Sequence, residues 1–372
     1  IYKADRIVPM NAPSLRDGFI ALDAEGRITH ISDDSSLFAS SEVEELKGWI
    51  VPGFVNAHCH MELSQMKGVV PTGLGLIPFI KDVVQKRNVD PDYIADEISK
   101  AEQEMIRNGI VAVGDISNTT DTLAQKQKNN IHYTTFIELF DFLQDQDAQH
   151  VFSGGMEVYD SFEIPIDQAK SLVPHAPYSV SKTLFGHINA ANKKEANRVV
   201  SIHNQETPAE NELFISGDGA FREFYRTFGI DMGQFQPLEA PAIQYLIENC
   251  DPGMRTLLVH NSLSTAADIK NAHAWNSSVF WVTCPNANLY IENRLPDYKA
   301  LSDHNAVVCI GTDSLTSNWQ LSILEEIKTI KRYNSYLDSD ILLTWSTWNG
   351  ARALGIQDRY GSLEVGKSPG IN

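Results

Sequence analysis

Two histidines separated by one residue, His58 and His60, directly follow the apolar stretch 50–57. Side chains of a β-strand point alternately to its two faces, so residues two apart project to the same side. We therefore expect both imidazoles to lie together at the end of a buried strand. In that position they offer two nitrogen ligands to one metal ion.

Other polar residues occupy similar places downstream, each at or just beyond the end of a short apolar run. They are His203, Glu206, His260 and Asp313. Together with the histidine pair, His203 and Asp313 give three imidazoles and one carboxylate, a ligand set that suits zinc or ferrous iron. Such an ion lowers the pKa of a bound water from about 15.7 to about 7. The sequence thus predicts one divalent metal ion, Zn²⁺ with Fe²⁺ as the alternative, and hydrolytic chemistry.

Two of these residues are better placed to move protons than to bind the metal. Glu206 lies three residues beyond His203, where its carboxyl group can face the metal-bound water and pass a proton to a ring nitrogen of the substrate. His260 is placed to polarise the attacking oxygen or to stabilise developing negative charge. We predict Glu206 and His260 as catalytic residues.

The elements that must position these residues are strand-like apolar runs. The runs cover residues 51–57, 110–115, 133–140, 171–175, 199–203, 256–260, 279–284 and 306–312. Helical periodicity appears between them, for example over residues 96–107 and 321–331. Near-continuous apolar strands separated by helices indicate an α/β fold with a parallel sheet covered on both faces. Eight such units predict a (β/α)₈ TIM barrel, whose chemistry lies at the C-terminal ends of the strands. A doubly wound open sheet is the alternative, although no Gly-x-Gly-x-x-Gly turn supports it.

The two ends of the chain have a different pattern from its middle. Residues 17–23 and 27–32 are short strands separated by a turn, and residues 360–366 resemble them. We predict a small composite β-sandwich domain made of residues 1–50 and 356–372, incomplete at its ends. Residues 51–355 then form the barrel domain.

Composition and charge exclude several classes of protein. The chain has 372 residues, 42% of them hydrophobic, and a formal net charge of −18, which would repel nucleic acid and anionic membranes. No run approaches the roughly 18 apolar residues of a membrane-spanning helix, and no signal-peptide pattern opens the chain. The four cysteines contain no Cys-x-x-Cys pair. We expect a cytoplasmic protein with reduced thiols and with neither nucleic acid nor membrane as a partner.

Several of these segments together resemble one known family. The first-strand signature of the amidohydrolase superfamily is similar to residues 52–64, Pro-Gly-Phe-Val-Asn-Ala-His-Cys-His-Met-Glu-Leu-Ser. Its chlorohydrolase and nucleobase-deaminase branch has elements that resemble His-Asn-Gln-Glu at 203–206, Cys-Pro-Asn-Ala-Asn at 284–288, Gly-Thr-Asp-Ser at 311–314, and the pair Ser317-Asn318. The similarity extends over nearly the whole chain.

The resemblance implies a distorted (β/α)₈ barrel with a β-sandwich built from both termini. It also implies one divalent metal ion, held by His58, His60, His203 and Asp313. Glu206 and His260 would assist the hydrolytic step, and Asp313 would take a proton from the attacking water. Binuclear members of the superfamily bridge two metals with a modified lysine at the end of strand four. Here that strand ends at 172–177 without a lysine, which favours a mononuclear site.

Four further residues are predicted to bind the substrate. His175 begins a segment that resembles one in adenosine-type deaminases, where the histidine contacts substrate. The segment that contains Glu62, His-Cys-His-Met-Glu-Leu-Ser, resembles one in aminodeoxyfutalosine deaminases, and so does the later segment 76–80. Glu138 ends the third strand, and Ser314 completes the Gly-Thr-Asp-Ser element.

We therefore expect a metal-dependent hydrolase of C–N bonds other than peptide bonds. The predicted reaction is the deamination of an aminated purine nucleoside or related N-heterocycle, with release of ammonia. Two alternatives remain: chlorohydrolase-like or other amidine hydrolysis at the same site, and a catalytically silent barrel that binds a small ligand. The partner in each case is a small molecule, and the resemblance allows a homodimer. Residues 208–235 either cover the pocket as a lid or pack on the barrel rim, and packing is the interpretation we favour.

Overall fold

A computed structural model describes residues 1–39, 42–194 and 198–372. The first four strands are β1 (Tyr2–Ile7), β2 (Leu15–Leu22), β3 (Ile28–Ser32) and β4 (Glu44–Ile50). They form one mixed sheet in the order β3-β2-β1-β4, in which β1 pairs antiparallel with β2 and parallel with β4.

Eight more strands form two parallel four-stranded sheets. They are β5 (Phe54–Cys59), β6 (Ile110–Ser117), β7 (His132–Leu139), β8 (Ala169–Pro174), β9 (Val199–Asn204), β10 (Arg255–His260), β11 (Val279–Thr283) and β12 (Val308–Ile310). The sheets have the orders β5-β6-β7-β8 and β12-β11-β10-β9. Each predicted strand of the middle region is present, although the last is shorter than predicted.

The edges of the two sheets meet through individual backbone hydrogen bonds. At one seam the amide of His203 donates to the carbonyl of His175 at 2.9 Å. At the other, the amides of Thr312 and Asp313 donate to the carbonyl of His58 at 3.1 and 3.0 Å. Gly311 is required there, because a Cβ atom would lie 2.8 Å from the His58 carbonyl oxygen. These bonds bring the strand ends that bear the predicted site residues around one centre.

Helices cover the outside of the strands. They are α1 (Leu76–Lys86), α2 (Pro91–Arg107), α3 (Leu123–Lys126), α4 (Ala148–Ser161), α5 (Lys182–Asn192), α6 (Pro208–Ser216), α7 (Ala220–Thr227), α8 (Ala242–Asn249), α9 (Ala266–Trp275), α10 (Pro285–Glu292), α11 (Tyr298–Asp303), α12 (Ile323–Tyr333), α13 (Ser339–Ser346) and α14 (Trp348–Leu354). The 3₁₀ turns are Ser35–Leu37, Met61–Met66 and Pro177–Ser179. No helix among the described residues is both long and apolar enough to cross a lipid bilayer.

The two helices predicted from periodicity are present with shifted starts. α2 begins at Pro91 instead of residue 96, because the Asp90 side chain caps its first amides and proline is favourable at a first helical position. α12 begins after Ser322, whose hydroxyl accepts from the amide of Glu325.

Both ends of the chain contribute to the terminal region. Among the described residues it contains one mixed sheet, and the tail of the chain joins that sheet irregularly. The amide of Ile28 donates to the carbonyl of Lys367, and Pro52 forms an isolated antiparallel bridge with Ile371. Gly366 and Gly370 of the tail have φ angles of 95° and 71°, a backbone conformation that glycine adopts readily.

Candidate active site

The end of β5 places two predicted metal ligands, His58 and His60, side by side. His58 lies in β5, and His60 immediately precedes the 3₁₀ turn. Their Nε2 atoms are 3.1 Å apart, as expected for side chains that share one face of a strand. Asp313 follows β12. Its Oδ1 atom lies 3.7 Å from the Nε2 atom of His58 and 3.5 Å from that of His60.

The other histidines complete a buried cluster. The ring centroids of His58 and His203 are 4.9 Å apart, and those of His203 and His260 are 5.3 Å apart. Candidate ligand atoms of His58, His203 and His260 lie within 4.8 Å of one another, and so do those of His58, His60 and Asp313. His203 Nδ1 contacts the His175 carbonyl oxygen at 2.8 Å, which leaves Nε2 available to a metal ion.

The protonation states of this cluster fit a metal ion. Burial lowers the pKa of His60 to about 3 and that of His203 well below its ordinary value, so both imidazoles are neutral at pH 7. Burial alone would raise the pKa of Asp313. The hydrogen bond to His58 and the neighbouring histidines outweigh burial and hold that pKa well below the usual range. Neutral imidazoles and an ionised carboxylate are the donors that zinc and ferrous iron bind.

Unusual backbone conformations direct several of these side chains. His260 and Asp313 have φ angles of 75° and 57°, in the left-handed region that most residues avoid. The Asp313 Oδ2 atom accepts a 2.6 Å hydrogen bond from the Ser317 hydroxyl. Strained residues of this kind persist where the surrounding contacts hold them, and they concentrate at functional sites.

Glu206 lies beside His260 at the base of the cluster. Glu206 Oε2 is 3.6 Å from His260 Nε2, whereas Oε1 is buried without a hydrogen-bond partner among the described residues. Burial, followed by the charge of Asp313, raises the pKa of Glu206 well above its ordinary value. Burial therefore favours the protonated form of this carboxyl group, whose Oε1 atom has no hydrogen-bond partner among the described residues.

The backbone and imidazole next to Glu206 are held by residues for which the sequence predicted no role. The Glu210 carboxylate accepts hydrogen bonds from the amides of Gln205, Glu206 and Thr207 at 3.1, 2.7 and 3.2 Å. Asn288 Oδ1 lies 2.8 Å from Nδ1 of His260, which places the proton on that nitrogen and leaves Nε2 toward Glu206. Asn288 belongs to the Cys-Pro-Asn-Ala-Asn element, so a signal for it was present in the sequence.

A cavity of about 510 Å³ opens above this cluster. The polar residues that line it are His60, Arg87, Asn118, Glu138, His175, Ser179, His203, Glu206, His260, Asp313 and Ser314. Of the predicted substrate-binding residues, Glu138, His175 and Ser314 therefore face the cavity. Burial raises the pKa of Glu138 to about 7 and lowers that of His175 to about 3.

Glu62 is the predicted substrate-binding residue that does not line the cavity. The 3₁₀ turn after β5 buries its side chain, which is 1% exposed. One carboxylate oxygen pairs with Arg87 at 2.9 Å, and the other accepts from the backbone amides of Asn118 and Thr119. A strand continued past His60 would have pointed Glu62 toward the site, and sequence alone does not reveal the turn.

Residues 208–235 both pack on the rim and form a wall of the cavity. Phe221 of α7 stacks on Tyr178 with ring centroids 4.2 Å apart, and the Tyr225 hydroxyl donates to the Tyr178 carbonyl oxygen. Phe224, Tyr225 and Phe228 line the cavity itself.

The sequence also did not indicate a buried ion pair behind the histidines. The ammonium of Lys126 lies 2.6 Å from Oδ2 of Asp115, and both side chains are completely buried. Asp115 Oδ1 accepts a 2.8 Å hydrogen bond from the amide of Met61, the residue after His60. The pair therefore supports the backbone of the turn that follows His60.

Comparison with known proteins gives the family. The model of the amidohydrolase family matches residues 49–372. The chain belongs to that family. Its predicted relationship to the superfamily is thereby confirmed, and the matched region includes every predicted site residue.

Individual relatives are deaminases and a chlorohydrolase. The chain is 26% identical to an adenosine deaminase of Helicobacter pylori over 322 residues, which are 86% of this chain and 76% of the relative. A crystal structure of Helicobacter pylori aminofutalosine deaminase in complex with methylthio-coformycin matches with a TM-score of 0.86 and 23% identity, over 100% of this chain and 90% of that one. The zinc complex of an atrazine chlorohydrolase from Arthrobacter aurescens matches with a TM-score of 0.77 and 16% identity, over 100% and 86%. The α/β architecture is thus that of amidohydrolase structures.

Proposed function

We propose that this chain is a mononuclear, zinc-dependent hydrolase that deaminates an adenine-type nucleoside and releases ammonia. One observation carries the proposal: the buried Glu206 carboxyl group lies 3.6 Å from His260 and has an oxygen without a hydrogen-bond partner among the described residues. Burial raises the pKa of this group well above its ordinary value, which favours the protonated acid. Hydrolytic deamination of a purine needs such a proton donor, because protonation of the ring nitrogen makes the adjacent carbon electrophilic. The deaminase relatives support the same reaction.

In this proposal His58, His60, His203 and Asp313 hold one zinc ion. Bound there, zinc supplies a water molecule with a pKa of about 7. A second, bridged metal is disfavoured because β8 ends in Pro174 with no lysine. Lys170, at the start of that strand, donates to the carbonyl oxygens of Tyr159 and Phe162 on the side of α4.

The proton transfers follow from the positions of three side chains. Asp313 accepts a proton from the attacking water, while the Glu206 carboxyl donates its proton to the ring nitrogen beside the amine-bearing carbon. His260 accepts a hydrogen bond from the attacking water through its unprotonated Nε2 and so polarises the oxygen for attack. As the new carbonyl forms, its hydroxyl proton returns to Glu206, and Asp313 gives its proton to the departing amine. Ammonia leaves, and both carboxyl groups regain their starting states.

We also propose how the strands around the site are arranged. We infer that the two parallel sheets are the halves of one distorted (β/α)₈ barrel, joined at the His175–His203 and His58–Thr312 hydrogen bonds. We further propose that residues 1–50 and 356–372 form one composite β domain.

The test is ammonia release from zinc-loaded protein with adenosine, methylthioadenosine, S-adenosylhomocysteine, aminodeoxyfutalosine, guanine and cytosine. We expect turnover of at least one adenine-bearing compound. Glu206→Gln should retain zinc and lose about 10²- to 10⁴-fold in kcat, because Gln cannot donate the proton. Undiminished activity in that variant would remove Glu206 from the mechanism. Silence toward the whole panel, with chloride released from a chlorotriazine, would favour the chlorohydrolase alternative.

A further inference from the structure

A second cavity, of about 570 Å³, lies at the end of the strands opposite the histidine cluster. Residues at the starts of five successive strands, β7 to β11, line it. These residues are His132, Gln168, Ala169, Arg198, Arg255 and Ser278. Parallel strands align their starts at one edge and their ends at the other, so this cavity is separate from the one at the histidines. The proposed deamination uses none of its side chains.

Two arginines come together at this cavity from neighbouring strands. The backbone amide of Arg255 donates to the carbonyl oxygen of Arg198 at 2.9 Å. Nη2 of Arg198 donates to the carbonyl oxygen of Lys193 at 3.0 Å. The partly exposed guanidinium of Arg255 has no hydrogen bond or ion pair with any residue that the structure describes. Its five donor hydrogens are therefore available to a ligand.

Positive charge predominates around Arg255. Burial, followed by the charge of Arg352, lowers the pKa of Arg255, so a second guanidinium is close enough to repel the first. Arg352 belongs to α14, and within the described part of the chain it forms no ion pair. The acid that lines the cavity, Asp167, is paired with Arg359 at 2.5 Å. The cavity is thus positive and attracts anions, although the whole chain has a net charge of −18.

His132 offers a further donor to a ligand in this cavity. The residue is 5% exposed, and both ring nitrogens are buried with no hydrogen-bond partner among the described residues. Burial lowers its pKa to about 4, which the nearby Asp167 only partly offsets, so the imidazole is neutral at pH 7 and carries one N–H. Buried polar groups are nearly always hydrogen-bonded. An acceptor bound in the cavity would give this N–H the partner it lacks.

We propose that this cavity at the strand starts is a binding site for a phosphate group, held by Arg255 together with Arg198 and His132. The planar guanidinium of arginine donates two parallel hydrogen bonds to a phosphate. A phosphate ester carries a charge of about −1.5 to −2 at pH 7 and three strong acceptor oxygens, which matches two guanidinium groups better than a singly charged carboxylate does. A cavity of about 570 Å³ admits either inorganic phosphate or the phosphate of a small organic ester. This site goes beyond the deaminase activity proposed above and does not depend on it.

The test measures the Kd of inorganic phosphate and of ribose 5-phosphate by calorimetry, with zinc-loaded protein in a buffer that contains about 0.15 M KCl. We expect Arg255→Met to weaken the binding of at least one of them about tenfold or more, because charge-assisted hydrogen bonds are lost. Arg255→Lys should recover part of the affinity, since lysine keeps the charge but not the paired donors. Arg352→Met, at an exposed position of α14, should weaken binding by a smaller factor through the loss of positive potential.

Arg27→Met is the matched control, since it removes an exposed arginine from the turn between β2 and β3 and should leave both Kd values unchanged. Phosphate bound only at the zinc ion would keep the same Kd in Arg255→Met and Arg352→Met, and that result would overturn the proposal. So would the absence of binding to the wild type at millimolar concentrations. Arg352→Met keeps the test decisive if unfolding curves show that Arg255→Met does not fold.

The two compounds also separate the two sources of the phosphate group. Tighter, Arg255-dependent binding of ribose 5-phosphate would support the site and identify an organic phosphate as its ligand. Equal or weaker binding of ribose 5-phosphate, with the same dependence on Arg255, would support the site and identify the free ion.

Discussion

The side chain of Asn288 sets the tautomer of the His260 imidazole. The Asn288 oxygen lies 2.8 Å from Nδ1 of His260 and so fixes the tautomer in which Nε2 is free. That nitrogen faces Glu206 at 3.6 Å. Candidate ligand atoms of His260, His58 and His203 lie within 4.8 Å of one another. In the proposed mechanism the orientation of His260 therefore affects both proton transfer and the metal site.

We expect Asn288→Ala to lower kcat about tenfold or more, because the imidazole can then rotate or exchange its tautomer. Zinc content and the melting temperature should change little, as three other imidazoles and Asp313 remain. Asn288→Asp keeps the acceptor and serves as the matched variant, with a smaller loss expected. Steady-state kinetics with zinc quantification would test this, and equal kcat values for Asn288→Ala and wild type would contradict it.

At the scale of elements, the strand ends were the predictable part of the site. The near-continuous apolar runs of β5, β9 and β12 were evident in the sequence, and parallel strands must align their C-terminal ends. That rule brought together His58 of β5, His60 just beyond it, His203 and Asp313. The 3₁₀ turn after His60 and the cavity wall formed by α7 were not predictable, because both depend on contacts distant in the chain. Glu62 was assigned to the substrate from the resemblance of its segment to aminodeoxyfutalosine deaminases, and the turn that buries its side chain was not anticipated.

The four-residue helix α3 positions one partner of the buried ion pair. It places Lys126 against Asp115, and Asp115 holds the amide after His60. Removal of one partner from a completely buried ion pair leaves an uncompensated charge in a medium of low dielectric.

We therefore expect Lys126→Met to lower the free energy of unfolding by about 3–5 kcal/mol. The double variant Asp115→Leu/Lys126→Met should recover much of that stability but bind zinc more weakly than wild type, because the Met61 amide loses its acceptor. Urea denaturation of metal-free protein and zinc titration separate the two effects. A Lys126→Met protein as stable as wild type would show that the pair contributes nothing.

Across the whole molecule, several buried carboxyl groups make stability depend on pH. Burial raises the pKa of Glu326 to about 8, although hydrogen bonds from Asn286 and Asn318 partly offset it. In the unfolded chain the value returns to about 4.5, so the folded state binds the proton more tightly. This contribution to stability is full below about pH 4.5 and disappears as pH rises through about 8.

We expect the unfolding free energy of metal-free wild type, minus that of Glu326→Gln, to fall steadily between pH 5 and pH 8.5. Gln cannot ionise, so this difference isolates Glu326 from the buried histidines, which act in the opposite direction at lower pH. Glu325→Gln, on a more exposed part of the same helix, provides the background. Urea denaturation at each pH measures the effect, and a difference that stays constant or rises with pH would be incompatible with a raised pKa.

The most direct test of the whole account is a zinc titration of metal-free protein, with ammonia release from an adenine nucleoside recorded at each addition. We predict that activity rises in proportion to zinc and reaches its plateau at one ion per chain, since the proposed site holds a single ion between His58, His60, His203 and Asp313. A plateau at two ions would contradict the mononuclear site. Absence of ammonia at every zinc content, with an adenine-bearing substrate that binds, would contradict the deaminase itself.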